Sequence, residues 1–399
     1  MFGRWPPIDV HPKSAGRRAF DEDPRPEKIN FRTGVFKNDA GECAIFPAVK
    51  AAEYRCLEAE STKDYLDLDG HPGFRETATR LLLGDALFAS RDVHAETIHT
   101  PGGNAACWLA GRLLATQSPD AKLWLSDPTW GNHLATFRES GVAFERYPWP
   151  VTAETTLEAE VVLGALSRLP EGDAVLLHGC CHNPTGVDPS PAQWESIAAV
   201  LADRKLLPVV DIAFLGYGDG VEEDLQGLRL LAQAVPAMIV TTSWSKAFCL
   251  YRERVGALTV VAHDAAAATR AARHAAWLVR ASWSNPPSHG AAIVDMVVRD
   301  PELRASWIDE LAAIRERTGR MRRRLVERLG ATEAGAELGL DHVLHEKSVF
   351  TTLGLTAEQV ATLNREHAIY VGRGGAINVV AVTEAELDRF CDAVGAVTK

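Results

Sequence analysis

The sequence lacks an excess of positive charge, since 42 lysines and arginines stand against 53 aspartates and glutamates, a formal net charge of −11. This balance disfavours nucleic acid or an anionic membrane surface as a partner. Long apolar runs are absent, and so is an N-terminal stretch with a charged start and an apolar core. We therefore expect neither a membrane span nor a secretory signal.

A disulfide framework is also missing. The seven cysteines are an odd number without the spacing of a secreted scaffold, which favours reduced thiols and a cytoplasmic location. Cys180, Cys181 and His182 are consecutive in the sequence, and their side chains are of the types that bind zinc. However, adjacent residues of an extended chain point to opposite faces, and no second ligand pair follows. We therefore expect no metal.

Short apolar segments alternate with segments of helical spacing. The predicted strands of this part cover residues 97–100, 123–125, 174–178, 207–212, 238–242 and 257–261. The predicted helices cover about 46–60, 74–83, 105–115, a segment from 191, and 265–276. The alternation predicts an α/β fold whose mostly parallel sheet is covered by helices. Ligands bind such sheets at the carboxyl ends of the strands.

The organisation of the chain predicts three parts. Residues 1–25, with many prolines and charges, are expected to form an extended arm. Residues 46–309 are expected to form the large α/β domain, and residues 26–45 with 310–399 a smaller α+β domain. The predicted elements towards the C-terminus are helices at about 301–329, 357–366 and 384–394, and strands at 348–353, 369–371 and 377–380.

Lys246 is the first candidate for chemistry. A lysine is a useful nucleophile only when its surroundings lower its pKa and fix its position. Hydroxyls precede it at Ser243 and Ser245, and a guanidinium follows at Arg254. This arrangement suits a phosphorylated cofactor whose aldehyde the amine captures. The alternative is a solvated loop lysine with chance neighbours.

Four further features suit a phosphorylated ring. Gly103 and Asn104 precede a predicted helix, whose N-terminus offers N–H groups and a positive dipole end to an anion; an ordinary tight turn is the alternative. Asp211 ends an apolar strand, where a carboxylate is costly unless it is paired. It suits the protonated nitrogen of a pyridine ring, or else a helix cap or surface ion pair. Asn183 offers an amide to an oxygen of a ligand, and Trp130 either stacks on a flat ring or belongs to the core.

Four segments together resemble the aspartate/aromatic aminotransferase family, the pyridoxal-phosphate enzymes of fold type I. They are residues 128–133, 182–189, 243–256 and 284–287. Their order along the chain is that of the family, and the resemblance covers nearly the whole sequence. It implies that residues 46–309 bind pyridoxal 5'-phosphate and that the substrate is an amino acid.

The resemblance implies a role for each matching residue. Lys246 would bind the cofactor covalently and shuttle a proton, and Asp211 would pair with the ring nitrogen, with His133 behind it. Trp130 would stack on the ring, and Asn183 would lie near its phenolic oxygen and the substrate. The positions at or beside the phosphate would be Gly103, Asn104, Ser243, Ser245 and Arg254.

The resemblance also implies a homodimer with shared active sites. Tyr65 would reach the phosphate of the neighbouring subunit, and Arg280 would bind the distal carboxylate of a substrate across the dimer. Gly34 is a further position expected to contact the substrate.

Three positions depart from the family. Phe214 replaces a tyrosine that contacts the phenolic oxygen, which should change the proton affinity of the bound cofactor. Ala376 stands where an arginine clamps the α-carboxylate, and Thr352 where an aromatic residue lines the pocket. Arg373, three residues earlier, would replace that arginine only if its loop is rebuilt.

These observations support three functions. The first is an aminotransferase-like enzyme that acts at the Cα of an amino acid with altered specificity. The second keeps the cofactor and performs elimination, replacement or carbon–carbon bond formation on an amino acid with a leaving group, such as S-adenosylmethionine. The third is a cofactor-binding module without catalysis.

Overall fold

The computed structural model describes residues 2–5, 12–332, 335 and 338–398, and of residues 3 and 12–15 the backbone alone. The chain divides into two compact units. One comprises Met1–Glu42, Met321–Leu340 and Phe350–Lys399, and the other comprises Cys43–Arg320 and Asp341–Val349. The division into an arm and two domains that we derived from the sequence stays a prediction.

Helices account for most of the regular structure. In chain order, the α-helices of the described residues are α1 (Pro12–Glu22), α2 (Pro47–Ala59), α3 (Pro72–Phe88), α4 (Gly103–Gln117), α5 (Gly131–Ser140), α6 (Ala159–Leu166), α7 (Pro191–Asp203), α8 (Gln226–Ala234), α9 (Ala265–Ser282), α10 (His289–Arg299), α11 (Pro301–Gly330), α12 (Ala357–His367) and α13 (Glu384–Val397). None of them combines the length and apolarity needed to cross a membrane.

The strands form one large sheet and two small pairs. They are β1 (Ile29–Asn30), β2 (His94–Pro101), β3 (Leu123–Asp127), β4 (Phe144–Pro148), β5 (Ala174–His178), β6 (Leu207–Ile212), β7 (Ala237–Ser243), β8 (Val255–Ala262), β9 (Phe350–Thr352), β10 (Ile369–Tyr370) and β11 (Ala376–Asn378). The large sheet has the order β2-β8-β7-β6-β5-β3-β4. Adjacent strands of this sheet are parallel except at β8, which is antiparallel to both β2 and β7.

Burial explains why this sheet forms the centre of its unit. Every residue of β5 and β8 is buried, as expected for strands covered on both faces. Helix α4 packs Ala106, Leu109 and Leu113 into the same hydrophobic core. The α/β prediction is confirmed, and the predicted spans 174–178 and 207–212 coincide with β5 and β6.

The first unit contains the small strand pairs. β1 pairs with β10 in parallel, and β9 pairs with β11 in antiparallel orientation. Helix α13 is joined to the second half of α11 by a bidentate contact in which Arg324 donates to both carboxylate oxygens of Asp388.

The prediction of an extended arm over residues 1–25 is wrong for α1, which is helical. The helix is held by contacts that a local pattern does not show. The Phe20 and Tyr370 rings meet edge-on with 5.3 Å between their centres. The Lys28 ammonium donates to the carbonyl oxygen of Phe20 at 2.7 Å, where a cation complements the end of the helix. The short strand β1 follows this helix.

Candidate active site

Three neighbouring parallel strands bring polar side chains to one edge of the large sheet. Asp211 in β6 pairs in register with His178 in β5 and with Thr241 in β7. Because β8 runs the other way, its first residues lie at this same edge, where Gly256 pairs with Ser243 and with Thr100. Residues that follow β2 and β7 therefore meet residues that precede β8.

Backbone contacts at this edge form a cradle. A Cβ added to Gly103 would lie 2.6 Å from the Cβ of Ser243, and one added to Gly102 would lie 2.4 Å from an Arg254 guanidinium nitrogen. At Gly256, an added Cβ would lie 2.3 Å from the carbonyl carbon of Gly102. The backbone contact at Gly256, the Ser243 Cβ at Gly103 and the φ of +93° at Gly102 therefore favour glycine at these positions. The N-terminus of α4, the Ser243 side chain and the Arg254 cation converge there, as an anion site requires.

Two side chains complete the cradle. The Oγ of Ser245 is buried and has no hydrogen-bond partner among the described residues; a buried hydroxyl in that state suits a ligand that accepts its proton. The Oδ1 of Asn104 accepts from Thr136 Oγ1 at 2.8 Å and from the amide of Asn132. The Asn104 amide nitrogen is thus left to donate to a ligand. A phosphate group fits this set of donors.

Asp211 is buried at the end of β6 and held on both oxygens. Its Oδ2 lies 3.3 Å from Nε2 of His133, and its Oδ1 accepts from Thr241 Oγ1 at 2.7 Å. Burial raises the pKa of Asp211. The hydrogen bonds from His133 and Thr241 and the charges of nearby histidines outweigh this effect and lower the pKa to about 2. The carboxylate is therefore charged at neutral pH and suits the protonated nitrogen of a pyridine ring.

A hydrogen-bonded chain extends from His133 away from Asp211. Thr129 Oγ1 lies 2.9 Å from Nδ1 of His133 and 3.1 Å from Nε2 of His178. Burial, together with the charge of His133, lowers the pKa of His178 to about 3, so this imidazole is neutral. The Asn183 backbone N–H lies 3.4 Å from Nδ1 of His178. Trp130 meets the His133 ring edge-on with 5.1 Å between centres. Asp211, His133, Asn183 and Trp130 thus belong to one cluster.

Lys246 lies in the loop between β7 and β8. Its ammonium nitrogen is 4.7 Å from the centre of the Phe214 ring. The backbone of the loop is held from two sides: Tyr217 Oη donates to the Lys246 carbonyl oxygen at 3.1 Å, and Trp307 Nε1 donates to that of Ala247 at 2.6 Å. Trp307 also stacks on Phe248 with 4.6 Å between ring centres. The lysine is therefore fixed by its backbone.

Among the described residues, Tyr65 and Arg280 make no hydrogen bond to this cluster, and Arg280 is linked by hydrogen bonds to Leu66, the residue after Tyr65. The Tyr65 side chain is 88% exposed. Arg280, in the last turn of α9, donates to Ser284 Oγ at 2.6 Å, and Ser284 donates to Asn285 Oδ1 at 3.0 Å. The Asn285 amide in turn donates to the carbonyl oxygen of Leu66, next to Tyr65.

The remaining predicted residues belong to the first unit. Thr352 and Ala376 are directly opposite each other in the β9–β11 pair. Arg373 begins a 3₁₀ turn, Arg373–Gly375, and is exposed. A Cβ at Gly374, whose φ is +69°, would lie 3.2 Å from Thr352 Cγ2. Gly34 is exposed in the segment after β1.

The reason we gave against a metal at Cys180 and Cys181 is wrong. Cys181 has a φ of +50°, so the two side chains do not alternate as they would in an extended chain. Both sulfurs and an oxygen of Asp224 lie within 4.8 Å of one another. Asp224 is already occupied, since its carboxylate accepts the backbone N–H groups of Gly216 and Asp219 at 2.8 and 2.9 Å.

Sequence reasoning missed four residues that hold the cluster: His178, Thr241, Tyr217 and Trp307. The first two were accessible in principle, because residues at the ends of parallel strands beside Asp211 are its neighbours. The last two come from distant segments and had no local signal.

The model of the family "Aminotransferase class I and II" matches residues 26–394 of the chain. The chain belongs to this family. It is a pyridoxal-phosphate-dependent enzyme of the aminotransferase type that acts on amino acids, and its fold is that of fold type I.

Individual relatives agree with this assignment. The aromatic-amino-acid aminotransferase of Pseudomonas aeruginosa is 41% identical over 379 residues, which are 95% of this chain and 94% of the relative. The aspartate aminotransferase of Escherichia coli K12 is 39% identical over 378 residues, 95% of each chain. The crystal structure of the aromatic-amino-acid aminotransferase of Burkholderia pseudomallei, covalently bound to pyridoxal phosphate, is 38% identical with a TM-score of 0.93, and the match covers 100% of both chains.

Proposed function

We propose that Lys246 holds pyridoxal phosphate covalently, with Asp211 at its ring nitrogen and the cradle of Gly103, Ser243, Ser245 and Arg254 at its phosphate. The observation that carries this proposal is the convergence of these groups at one edge of the large sheet. Asn104 adds a donor at the phosphate end. Trp130 and Asn183 contact the ring and its phenolic oxygen, and His133 supports Asp211 from behind.

Each residue of the proposed site has a separate role in the reaction. The bound cofactor supplies an electron sink for negative charge at the substrate Cα. Asp211, charged and buried, favours a protonated ring nitrogen. Lys246 Nζ takes up the proton that leaves the Cα and returns it to another atom, which is general base and general acid catalysis by one group. Its loop backbone, held by Tyr217 and Trp307, keeps that amine in position.

We propose that the preferred substrate is not aspartate. Phe214 has no hydroxyl to donate to the phenolic oxygen, and Ala376 has no cation for an α-carboxylate. Thr352, opposite Ala376, is smaller than an aromatic residue. A bidentate arginine–carboxylate contact is lost at this position, and we propose that Arg373 and Gly34 contact the substrate. An amino acid with a larger side chain suits these replacements.

The second candidate function rests on the same replacements. A substrate that carries a leaving group, such as a sulfonium amino acid of the S-adenosylmethionine type, would be directed to elimination, replacement or carbon–carbon bond formation. The electron pair left at Cα would then expel the leaving group or form a bond to an electrophile, and the amino group would not be transferred to the cofactor.

The enzyme is proposed to act as a homodimer. Tyr65 and Arg280 are exposed, and hydrogen bonds through Ser284 and Asn285 link Arg280 to the carbonyl oxygen of Leu66, the residue after Tyr65. Residues placed in this way suit a role in the site of a second subunit, where Tyr65 would reach the phosphate and Arg280 a distal carboxylate. None of the cysteines forms a disulfide in the described part of the chain, in keeping with the expected cytoplasmic location, which stays a prediction.

The covalent attachment is tested by borohydride reduction of the holoenzyme followed by peptide mass spectrometry. We expect the cofactor mass on the peptide that contains Lys246, and none in Lys246→Ala. Lys246→Arg is the matched control, since it keeps a cation near Phe214 but does not form the bond. Cofactor on another lysine, or no label in cofactor-supplemented protein, would overturn the proposal.

The reaction type is tested with single amino donors. Conversion of the cofactor to pyridoxamine phosphate, with a 2-oxo acid product, is expected for the aminotransferase. Release of a leaving group without pyridoxamine phosphate identifies the second candidate instead.

A further inference from the structure

Asp211 has a second anchor besides His133. Its Oδ1 accepts the Thr241 hydroxyl at 2.7 Å, and the thiol of Cys107 lies 3.5 Å from the same oxygen and 3.6 Å from Thr241 Oγ1. All three side chains are buried, Thr241 and Cys107 almost completely. The anchor joins three elements, because Asp211 ends β6, Thr241 belongs to β7 and Cys107 to α4.

The two anchors act on different oxygens. His133 contacts Oδ2 at 3.3 Å, while Thr241 and Cys107 contact Oδ1. The terminal torsion of an aspartate is broad, so a carboxylate held through one oxygen still rotates. One held through both has its plane fixed. A hydrogen bond to a charged acceptor is also among the stronger ones in proteins.

We infer that Thr241, assisted by Cys107, is a positioning residue that fixes the Asp211 carboxylate for the ring nitrogen of the cofactor. This inference rests on the proposed role of Asp211. Thr241 supplies the main hydrogen bond, because a hydroxyl is a strong donor and a thiol a weak one. Neither side chain needs to touch the cofactor, since the effect is transmitted through Asp211.

The test compares two cofactors in the full-length apoenzyme. Pyridoxal phosphate has the ring nitrogen, and 1-deazapyridoxal phosphate has carbon at that place. We expect Thr241→Val to raise the dissociation constant of pyridoxal phosphate about tenfold, which corresponds to ~1.4 kcal/mol. The dissociation constant of the deaza analogue should be unchanged. Thr241→Ser, which keeps the hydroxyl, should restore the affinity, and Cys107→Ala should weaken it only about twofold.

Two controls separate this effect from a loss of structure. Thr242→Val removes a hydroxyl at the next position of β7, where Thr242 Oγ1 contacts only the Ala257 carbonyl oxygen, at 3.4 Å, among the described residues; it should leave both dissociation constants unchanged. In the Asp211→Asn background, Thr241→Val should have no further effect, because the carboxylate it acts on is gone. Should Thr241→Val not fold, Thr241→Ala and Cys107→Ala take its place in the same comparison.

The outcomes distinguish this inference from the proposal on which it rests. Equal losses for both cofactors, or no loss in Thr241→Val, would overturn the positioning role while leaving that of Asp211 intact. A wild-type apoenzyme that binds the two cofactors equally well would instead contradict the placement of Asp211 at the ring nitrogen, and the positioning role with it.

Discussion

The ammonium nitrogen of Lys246 lies 4.7 Å from the centre of the Phe214 ring. A cation at this distance from an aromatic face is attracted by the ring, by about 0.5–2 kcal/mol. Phe214 therefore retains a contact with the lysine, whereas it offers no hydrogen bond to the phenolic oxygen of the cofactor.

Restoring that hydroxyl should shift the titration of the bound cofactor. In Phe214→Tyr, a donor would stabilise the negative phenolic oxygen and weaken its hold on the neighbouring proton. We expect the midpoint of the cofactor's pH-dependent absorbance change to fall by about one pH unit, which corresponds to ~1.4 kcal/mol. Phe214→Leu removes the ring without adding a donor. A midpoint unchanged in Phe214→Tyr would show that position 214 does not face the phenolic oxygen.

Ala376→Arg should improve the use of aspartate. A guanidinium at this position would supply a charge-assisted, bidentate contact to the α-carboxylate. We expect kcat/KM for aspartate to rise at least about tenfold, or ~1.4 kcal/mol, with a further gain when Thr352→Phe restores an aromatic neighbour. Ala376→Met controls for the added length. Equal rates in the arginine and methionine variants would count against the missing clamp.

Arg373→Met tests whether that loop supplies the carboxylate contact in the native enzyme. Loss of one charged contact should raise KM for every amino donor about tenfold, ~1.4 kcal/mol. Arg365→Met is the matched control, because Arg365 is an exposed arginine of the same unit that pairs with Glu358 and Glu366. The role assigned to Arg373 fails if steady-state kinetics show the same KM in both variants.

Trp307→Phe should destabilise the loop that carries Lys246. It removes the 2.6 Å hydrogen bond to the Ala247 carbonyl oxygen, and a buried acceptor left unpaired costs about 1–3 kcal/mol. Urea unfolding of the apoenzyme measures this loss, and the rate of covalent cofactor attachment should fall with it. Trp149→Phe is a suitable control, since the Trp149 indole N–H is buried without a partner among the described residues. Similar losses in the two variants would contradict the role of the hydrogen bond.

His99 should make the fold sensitive to acid. Its ring nitrogens are buried without partners in the described part of the chain, and burial, together with the charge of His71, lowers its pKa to about 3. The folded protein holds this imidazole neutral, whereas the unfolded chain protonates it below its ordinary pKa of 6.5. The stability it contributes is thus complete above pH 6.5 and declines as the pH falls towards 3.

His99→Leu should remove this decline. Between pH 7 and pH 5, the wild-type free energy of unfolding should fall relative to the variant by about 2 kcal/mol, since one proton is worth ~1.4 kcal/mol per pH unit. Urea unfolding at both pH values measures the difference. The exposed His289→Leu serves as the comparison, and a parallel pH dependence of wild type and His99→Leu would refute the assignment.

The large sheet and much of the site were predictable from the sequence, because they rest on local patterns. β5 and β6 consist mainly of apolar residues. The glycines at the start of α4 and the hydroxyls before Lys246 predict an anion site. α8 was missed although Leu228, Leu231 and Ala232 have helical spacing and are buried. In contrast, β4 is largely exposed, and of its residues Tyr147 alone is buried, so its hydrophobic signal is weak.

Other features depend on contacts between distant residues. α1 is stabilised by Tyr370 and Lys28, and its own sequence indicates an arm. The antiparallel direction of β8 could not be predicted, because an apolar run indicates a buried strand but not the direction in which it pairs. The second anchor of Asp211 also required the register of β6 and β7 and the position of α4, none of which composition or spacing provides.

Gly256 meets the carbonyl carbon of Gly102 so closely that a single methyl group would not fit between them. The main-chain part of the proposed phosphate site, at Gly102 and Gly256, therefore leaves no room for a side chain. Diversification is left to positions such as 214, 352 and 376, where one side chain replaces another on an unchanged backbone. Substitutions at such positions would change the pocket while the backbone contact between Gly102 and Gly256 stays the same.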